Sequence, residues 1–129
     1  MGENEHDVIR ESPEQAEFRA EVRAFLAANA ELRRESSPWA VNFHASRDAA
    51  RAAFEGGRAW QRTLFEHRLA GLTYPPEVGG RGGTAWHERI YAEEAARYDV
   101  SSRFIASTIA MLGPTLMKHG TSEQKAHYV

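Results

Sequence analysis

Residues 80–85, GRGGTA, have the Gly-x-Gly-x-x-Ala spacing that lets a backbone approach the pyrophosphate of a dinucleotide. The chemistry would be that of an anion cradle. Amide N–H groups of a tight turn, and the N-terminus of the helix that follows, would face phosphate oxygens. Such a turn must follow a strand inside a strand–helix–strand unit. Here it follows YPPEV, residues 74–78, whose adjacent prolines cannot serve a central strand. The other common phosphate loop needs a Gly-Lys-Ser/Thr triplet, which the chain lacks. The whole stretch GLTYPPEVGGRGG, residues 71–83, is therefore expected to join two helices. Its glycines would permit positive φ angles and close helix approach, and its prolines would stiffen the turn.

Other chemistry-bearing residues do not assemble into a set. The histidines are His6, His44, His67, His87, His119 and His127, and no two share the three- or four-residue spacing of a helical metal pair. Each reads as a surface or partly buried ring, and no metal site is expected. Glu88, Glu93 and Glu94 could include an acid or base, but carboxylates on a charged helix face are ordinarily exposed. There is no Gly-x-Ser-x-Gly nucleophile elbow. The absence of cysteine excludes disulfides and thiolate chemistry.

The elements that would carry these residues read as helices. Residues 1–11 are expected to be a flexible arm. Ser12, Pro13 and Gln15 then form a helix start with a capping box. Phe18, Val22, Phe25 and Leu26 follow on one helical face, and the helix should run to about Ala30. Pro38 interrupts the pattern. A second helix is expected from about Ser46 to Ala70, with Phe54, Trp60, Leu64, Phe65 and Leu69 as its apolar residues and Gly71 as its stop. Gly56-Gly57 weakens its middle. Thr84 can cap a third helix through Tyr98, with Trp86, Ile90, Tyr91, Ala95 and Tyr98 in its stripe.

The segment SSRFIASTIAMLGPTLMKHG, residues 101–120, differs in being apolar on most sides, which predicts a buried helix bent or broken at Gly113-Pro114. Thr121 and Gln124 form a second capping box five residues before the end, with Glu123 favourable near the helix dipole, so the chain reads as cut within its last helix. The fold class expected is all-α, a bundle of about five helices.

Bulk properties agree with one soluble domain. A chain of 129 residues can bury roughly two-thirds of its unfolded surface. With 16 basic against 18 acidic residues, the net charge of −2 offers nothing to nucleic acid or to an anionic membrane. The polar, acidic amino terminus is not a secretory signal, and no apolar run approaches a membrane span. A cytoplasmic location is expected, with neither nucleic acid nor membrane as partner.

The order of motifs is more specific than any one of them. LAGLTYPPEVGGRGG, then a helix with YAEEAARYD, then MLGPTLMKHGTSEQKAHYV resemble the amino-terminal domain of the acyl-CoA dehydrogenase family. Gly71, Leu72, Tyr74, Pro75, Glu77, Gly79, Gly80 and Gly82 match that family's loop, and Gly120, Thr121, Glu123, Gln124 and Lys125 match its closing motif. The resemblance spans residues 12–129. It implies a three-domain enzyme of which this chain holds the first domain and lacks the middle β domain and the carboxy-terminal helical domain.

Such enzymes bind FAD noncovalently and oxidise acyl-CoA thioesters to 2-enoyl-CoA. A carboxylate takes the α-proton, made acidic by polarisation of the thioester carbonyl, as the β-hydride leaves for flavin N5. The base and most flavin contacts come from the two later domains, so the resemblance assigns no catalytic or cofactor-binding residue to this chain. It implies a contribution to the acyl-chain cavity, for which Phe104, Ser107 and Met111 share a helical face and are the candidates. It also implies acyl-CoA as substrate of the whole enzyme and a homo- or hetero-oligomer. The alternatives are a fragment of a same-fold flavin oxidase or monooxygenase, and a non-catalytic helical module that pairs with another subunit.

Overall fold

The computed structural model describes residues 10–33, 46–100 and 108–128. Nearly all of the amino-terminal arm, the interruption around Pro38, and Phe104 and Ser107 lie outside these residues. Among the described residues the architecture is all-α, with five α-helices joined by a loop and a π-helical turn and no strand.

Helix α1 (Pro13–Asn29) begins as its sequence dictates. The Ser12 hydroxyl accepts from the Gln15 amide at 3.2 Å, and the Gln15 side chain accepts from the Ser12 amide at 3.0 Å. Phe18, Val22, Phe25 and Leu26 are all buried, as the stripe predicts. Complete burial of a side chain such as Leu26 stabilises the fold by about 1.5–3 kcal/mol.

Helix α2 (Arg47–Glu66) is capped by the Ser46 hydroxyl, which accepts from the Ala49 amide at 3.1 Å. It runs unbroken through Gly56-Gly57 but ends four residues before Ala70, short of the expected stop. A Schellman closure explains the difference. The Leu69 amide donates to the Leu64 carbonyl at 2.8 Å, and the Arg68 amide to that of Phe65 at 3.0 Å. Arg68 takes the left-handed conformation, φ +56°, that glycine usually supplies. The buried pair Leu64 and Leu69 holds this closure in place, which leaves Gly71 free to serve the next turn.

Helix α3 (Ala85–Ala95) packs on α1, and Ile90 and Ala95 join the core with Leu64, Leu69 and Leu72. Trp60, Trp86, Tyr91 and Tyr98 are partly buried against it. The helix stops before Tyr98 because the chain there turns to meet the end of α1. Leu32 and Tyr98 form an isolated antiparallel bridge, flanked by Arg33 N–H to the Arg97 carbonyl (2.9 Å) and Asp99 N–H to the Glu31 carbonyl (2.8 Å).

Residues Thr108–Leu112 form a π-helical turn that leads into α4 (Gly113–His119) and α5 (Ser122–Tyr128). The second capping box is present, with Thr121 N–H to Gln124 Oε1 at 2.9 Å and Gln124 N–H to Thr121 Oγ1 at 3.1 Å. The expected burial is not found here. Ala110, Met111 and Leu112 are exposed, Ile109 is half-buried, and Gly113 alone of the described residues 108–128 is buried. An apolar circumference signals burial only where other elements surround the helix, and none of the described elements covers this one.

Candidate functional site

The glycine loop spends its backbone donors on itself. Every amide from Val78 to Gly83 donates to a carbonyl between Gly71 and Pro76, at 2.7–3.3 Å. A short 3₁₀ turn, Pro76–Val78, and positive φ angles at Gly71, Gly79 and Gly82 produce this folding back. Space also requires glycine at Gly79, Gly80 and Gly83. A Cβ at Gly83 would lie 2.8 Å from the Leu72 carbonyl oxygen. A Cβ at Gly79 would lie 2.7 Å from the Phe65 ring, and one at Gly80 would overlap the Tyr74 backbone. The next donor, the Thr84 amide at the start of α3, is taken by His87 Nδ1 at 3.0 Å. From Val78 to Thr84 no amide is left to cradle a phosphate. This turn does not fit the pyrophosphate of FAD.

His87 acts as the capping-box partner where glutamate or glutamine is usual. Accepting from Thr84 places its ring proton on Nε2. The ring stacks on Trp86 (centroids 3.5 Å apart, 19°) and meets the edge of Phe18 at 4.8 Å. The Arg81 guanidinium lies over the Phe18 face at 4.8 Å and is held by Glu21 at 2.7 and 2.5 Å. Burial, and then the Arg81 charge, pull the His87 pKa below its ordinary value. This histidine is a neutral structural acceptor. No cluster of three or more histidines and acidic residues suited to a metal ion exists among the described residues.

Of the three glutamates of α3, Glu88 and Glu93 lie on the exposed face expected of them, and Glu94 does not. Glu88 accepts from the Thr73 hydroxyl at 2.9 Å, and Glu93 pairs with Arg19 at 2.7 Å. Glu94, expected to be exposed, is 5% exposed. Its two oxygens are bound by Arg19 Nη1 at 2.7 Å and Arg23 Nε at 2.8 Å. Arg19 also pairs with Glu11, so one guanidinium ties three carboxylates together. Hydrogen bonding to Arg23, and next to Arg19, holds the Glu94 carboxyl below its ordinary range despite burial. A carboxylate so held is a poor base. Its work is to pin α3 to α1. The signal was missed because its partners lie 75 and 71 residues upstream.

Of the three acyl-chain candidates, the described residues include Met111, which is 67% exposed. It follows closely on Ile109, which lines a cavity of about 90 Å³ together with Gln61, Phe65, Tyr74 and the loop glycines. That volume is well below the roughly 300 Å³ at which ligand pockets begin, so the cavity does not enclose a ligand-sized space. Tyr74 spans the gap. Its hydroxyl donates to the Ile109 carbonyl at 2.6 Å, joining the glycine loop to the π-helical turn. Sequence reading used Tyr74 only as a loop residue, and its partner lies 35 positions away.

Known proteins place this geometry. The family described as "Acyl-CoA dehydrogenase, N-terminal domain" matches residues 12–129. Acyl-CoA dehydrogenase IpdE1 of Mycolicibacterium smegmatis is 36% identical over 118 residues, covering 88% of this chain and 28% of that protein. Acyl-CoA dehydrogenase FadE26 of Mycobacterium tuberculosis is 28% identical over 124 residues, 94% of this chain and 28% of that one. A chain in the crystal structure of the ChsE4–ChsE5 complex from Mycobacterium tuberculosis superposes with a TM-score of 0.61 at 25% identity, over 92% of this chain and 27% of that chain. The present chain thus spans little more than a quarter of the length of these relatives. Matched from Ser12 to its last residue, it belongs to the acyl-CoA dehydrogenase family and carries that family's amino-terminal helical domain.

Proposed function

We propose that this chain supplies the helical first domain of a flavin-dependent acyl-CoA dehydrogenase, which oxidises acyl-CoA thioesters to 2-enoyl-CoA. The observation that carries the reading is the family match over residues 12–129. In this reading Phe104, Ser107 and Met111 contribute one wall of the acyl-chain cavity. The exposed Met111 thioether, soft and conformationally adaptable, suits a flexible alkyl chain. FAD and the catalytic base belong to the portion of such an enzyme that corresponds to the remaining length of the relatives. This chain's own part is packing and positioning.

A second reading is favoured by the exposure of Met111 and Leu112 and by the likeness to a chain from a two-protein complex. The domain would then pair, without catalysis of its own, with another subunit.

The deciding experiment assembles the chain with a polypeptide carrying the middle β and carboxy-terminal helical domains of an acyl-CoA dehydrogenase, and follows flavin absorbance. The dehydrogenase reading expects bound flavin that bleaches on addition of a fatty acyl-CoA. A stable, flavin-loaded assembly that no acyl-CoA bleaches would overturn it and leave the pairing module.

A further inference from the structure

In a π-helical turn the carbonyl of residue i pairs with the amide of residue i+5. For Ile109 that residue is Pro114, which has no N–H. The turn Thr108–Leu112 therefore meets a proline where the Ile109 carbonyl would look for its donor. A half-buried carbonyl left in that position costs about as much as a lost hydrogen bond. The Tyr74 hydroxyl reaches this oxygen, at 2.6 Å, from a loop 35 residues away.

The surroundings are shaped for that approach. A Cβ at Gly113 would overlap the Tyr74 hydroxyl, and one at Gly71 would lie 3.1 Å from the Tyr74 ring. Gly113 is also the one buried residue of the described segment 108–128. Burial, and then the Glu88 charge, raise the Tyr74 phenol above its ordinary value, which keeps the donor proton in place.

We infer that Tyr74 is a positioning residue: its hydroxyl supplies the hydrogen bond that Pro114 withholds from the Ile109 carbonyl, and so latches the π-helical turn, and Met111 with it, to the glycine loop. The importance of the latch for substrate rests on the acyl-chain reading above. The latch itself does not.

The test compares Tyr74→Phe, Pro114→Ala and the double variant in the 129-residue chain, by amide hydrogen exchange and by the carbonyl-carbon resonance of labelled Ile109. Tyr74→Phe keeps the ring and removes the donor. Exchange between Leu112 and Met117 should quicken about tenfold, the size of one net hydrogen bond, while the amides of α1 and α3 keep their rates. The Ile109 resonance should move. In the Pro114→Ala background the new amide can serve Ile109, so adding Tyr74→Phe should change exchange by less than twofold. Gly113→Ala should reproduce the Tyr74→Phe effect by pushing the hydroxyl away.

Unchanged exchange in Tyr74→Phe, an equal quickening throughout the chain, or full additivity in the double variant would each overturn the latch. Failure of the acyl-chain reading looks different. The latch would pass these tests, yet a fatty acyl-CoA added to the flavin-loaded assembly would not protect the same amides.

Discussion

The α1–α3 half of this domain and the segment from Thr108 onward are built on opposite terms. Every buried apolar side chain among the described residues lies between Phe18 and Ala95. There α1, α2, the glycine loop and α3 share one core, closed by Arg19, Arg23 and Glu94. Beyond Thr108 the capping is equally well specified, at Thr121 and Gln124, but the apolar side chains Met111, Leu112 and Tyr128 face outward. Local helix signals therefore exist in both regions, and only the first supplies its own burial. Caps decide where a helix begins. They contribute about 1 kcal/mol each and cannot replace a buried face.

The largest break in this contrast should come from the core. Leu26→Ala removes a side chain with no exposure and is expected to lower unfolding stability by about 2–5 kcal/mol in a denaturant titration. An effect below about 1 kcal/mol would mean that the core is looser than its burial indicates.

A smaller effect, confined to the same half, should appear on acidification. The His87 pKa is depressed below the ordinary histidine value of 6.5, so its contribution is complete above that pH and is lost as pH falls through the folded-state value. The Glu94 pKa is depressed below 4.5, and its contribution disappears only below that. Thermal midpoints should therefore decline in two stages between pH 7 and pH 3, the lower one shared with Glu11. His87→Gln preserves the capping acceptor and should abolish the upper stage alone. Glu94→Gln should flatten the lower one. A single decline that neither substitution alters would place the titrating groups elsewhere.

The smallest effect on stability should come from the exposed segment. Met111→Ser with Leu112→Ser should shift unfolding by no more than about 0.5 kcal/mol per site, while lowering self-association measured by light scattering. Destabilisation on the scale of Leu26→Ala would show that these side chains are covered after all.

How much of this was legible depended on distance along the chain. The stripe Phe18, Val22, Phe25 and Leu26 announced its burial because one helix sets all four positions. The capping boxes at Ser12 and Thr121 were legible for the same reason, since each is complete within four residues. The early end of α2 was not, because a Schellman closure without glycine depends on the Leu64–Leu69 pair rather than on a stop residue. Glu94 read as one of several surface carboxylates until Arg19 and Arg23 were brought to it by the fold.

At the candidate site, Phe104, Ser107 and Met111 are grouped by α-helical phase, and the first two lie outside the described residues. A π-helical turn breaks that phase, and Tyr74, the residue that meets the turn, belongs to a loop read only as a connection. Family resemblance supplied the identity that local spacing did not.

The bridge between Leu32 and Tyr98 has a mechanical meaning. Because the two stretches run antiparallel, the chain enters at Glu31 and departs at Asp99 on the same side of the pairing. Tension on the flanks would act as it does on the open end of a zipper. The Asp99–Glu31 bond would carry the first load and the Arg33–Arg97 bond the second, never both together. The fastening is therefore directional: it yields in turn to a pull from outside, yet for residues 33–97 it keeps the two ends of a long excursion side by side.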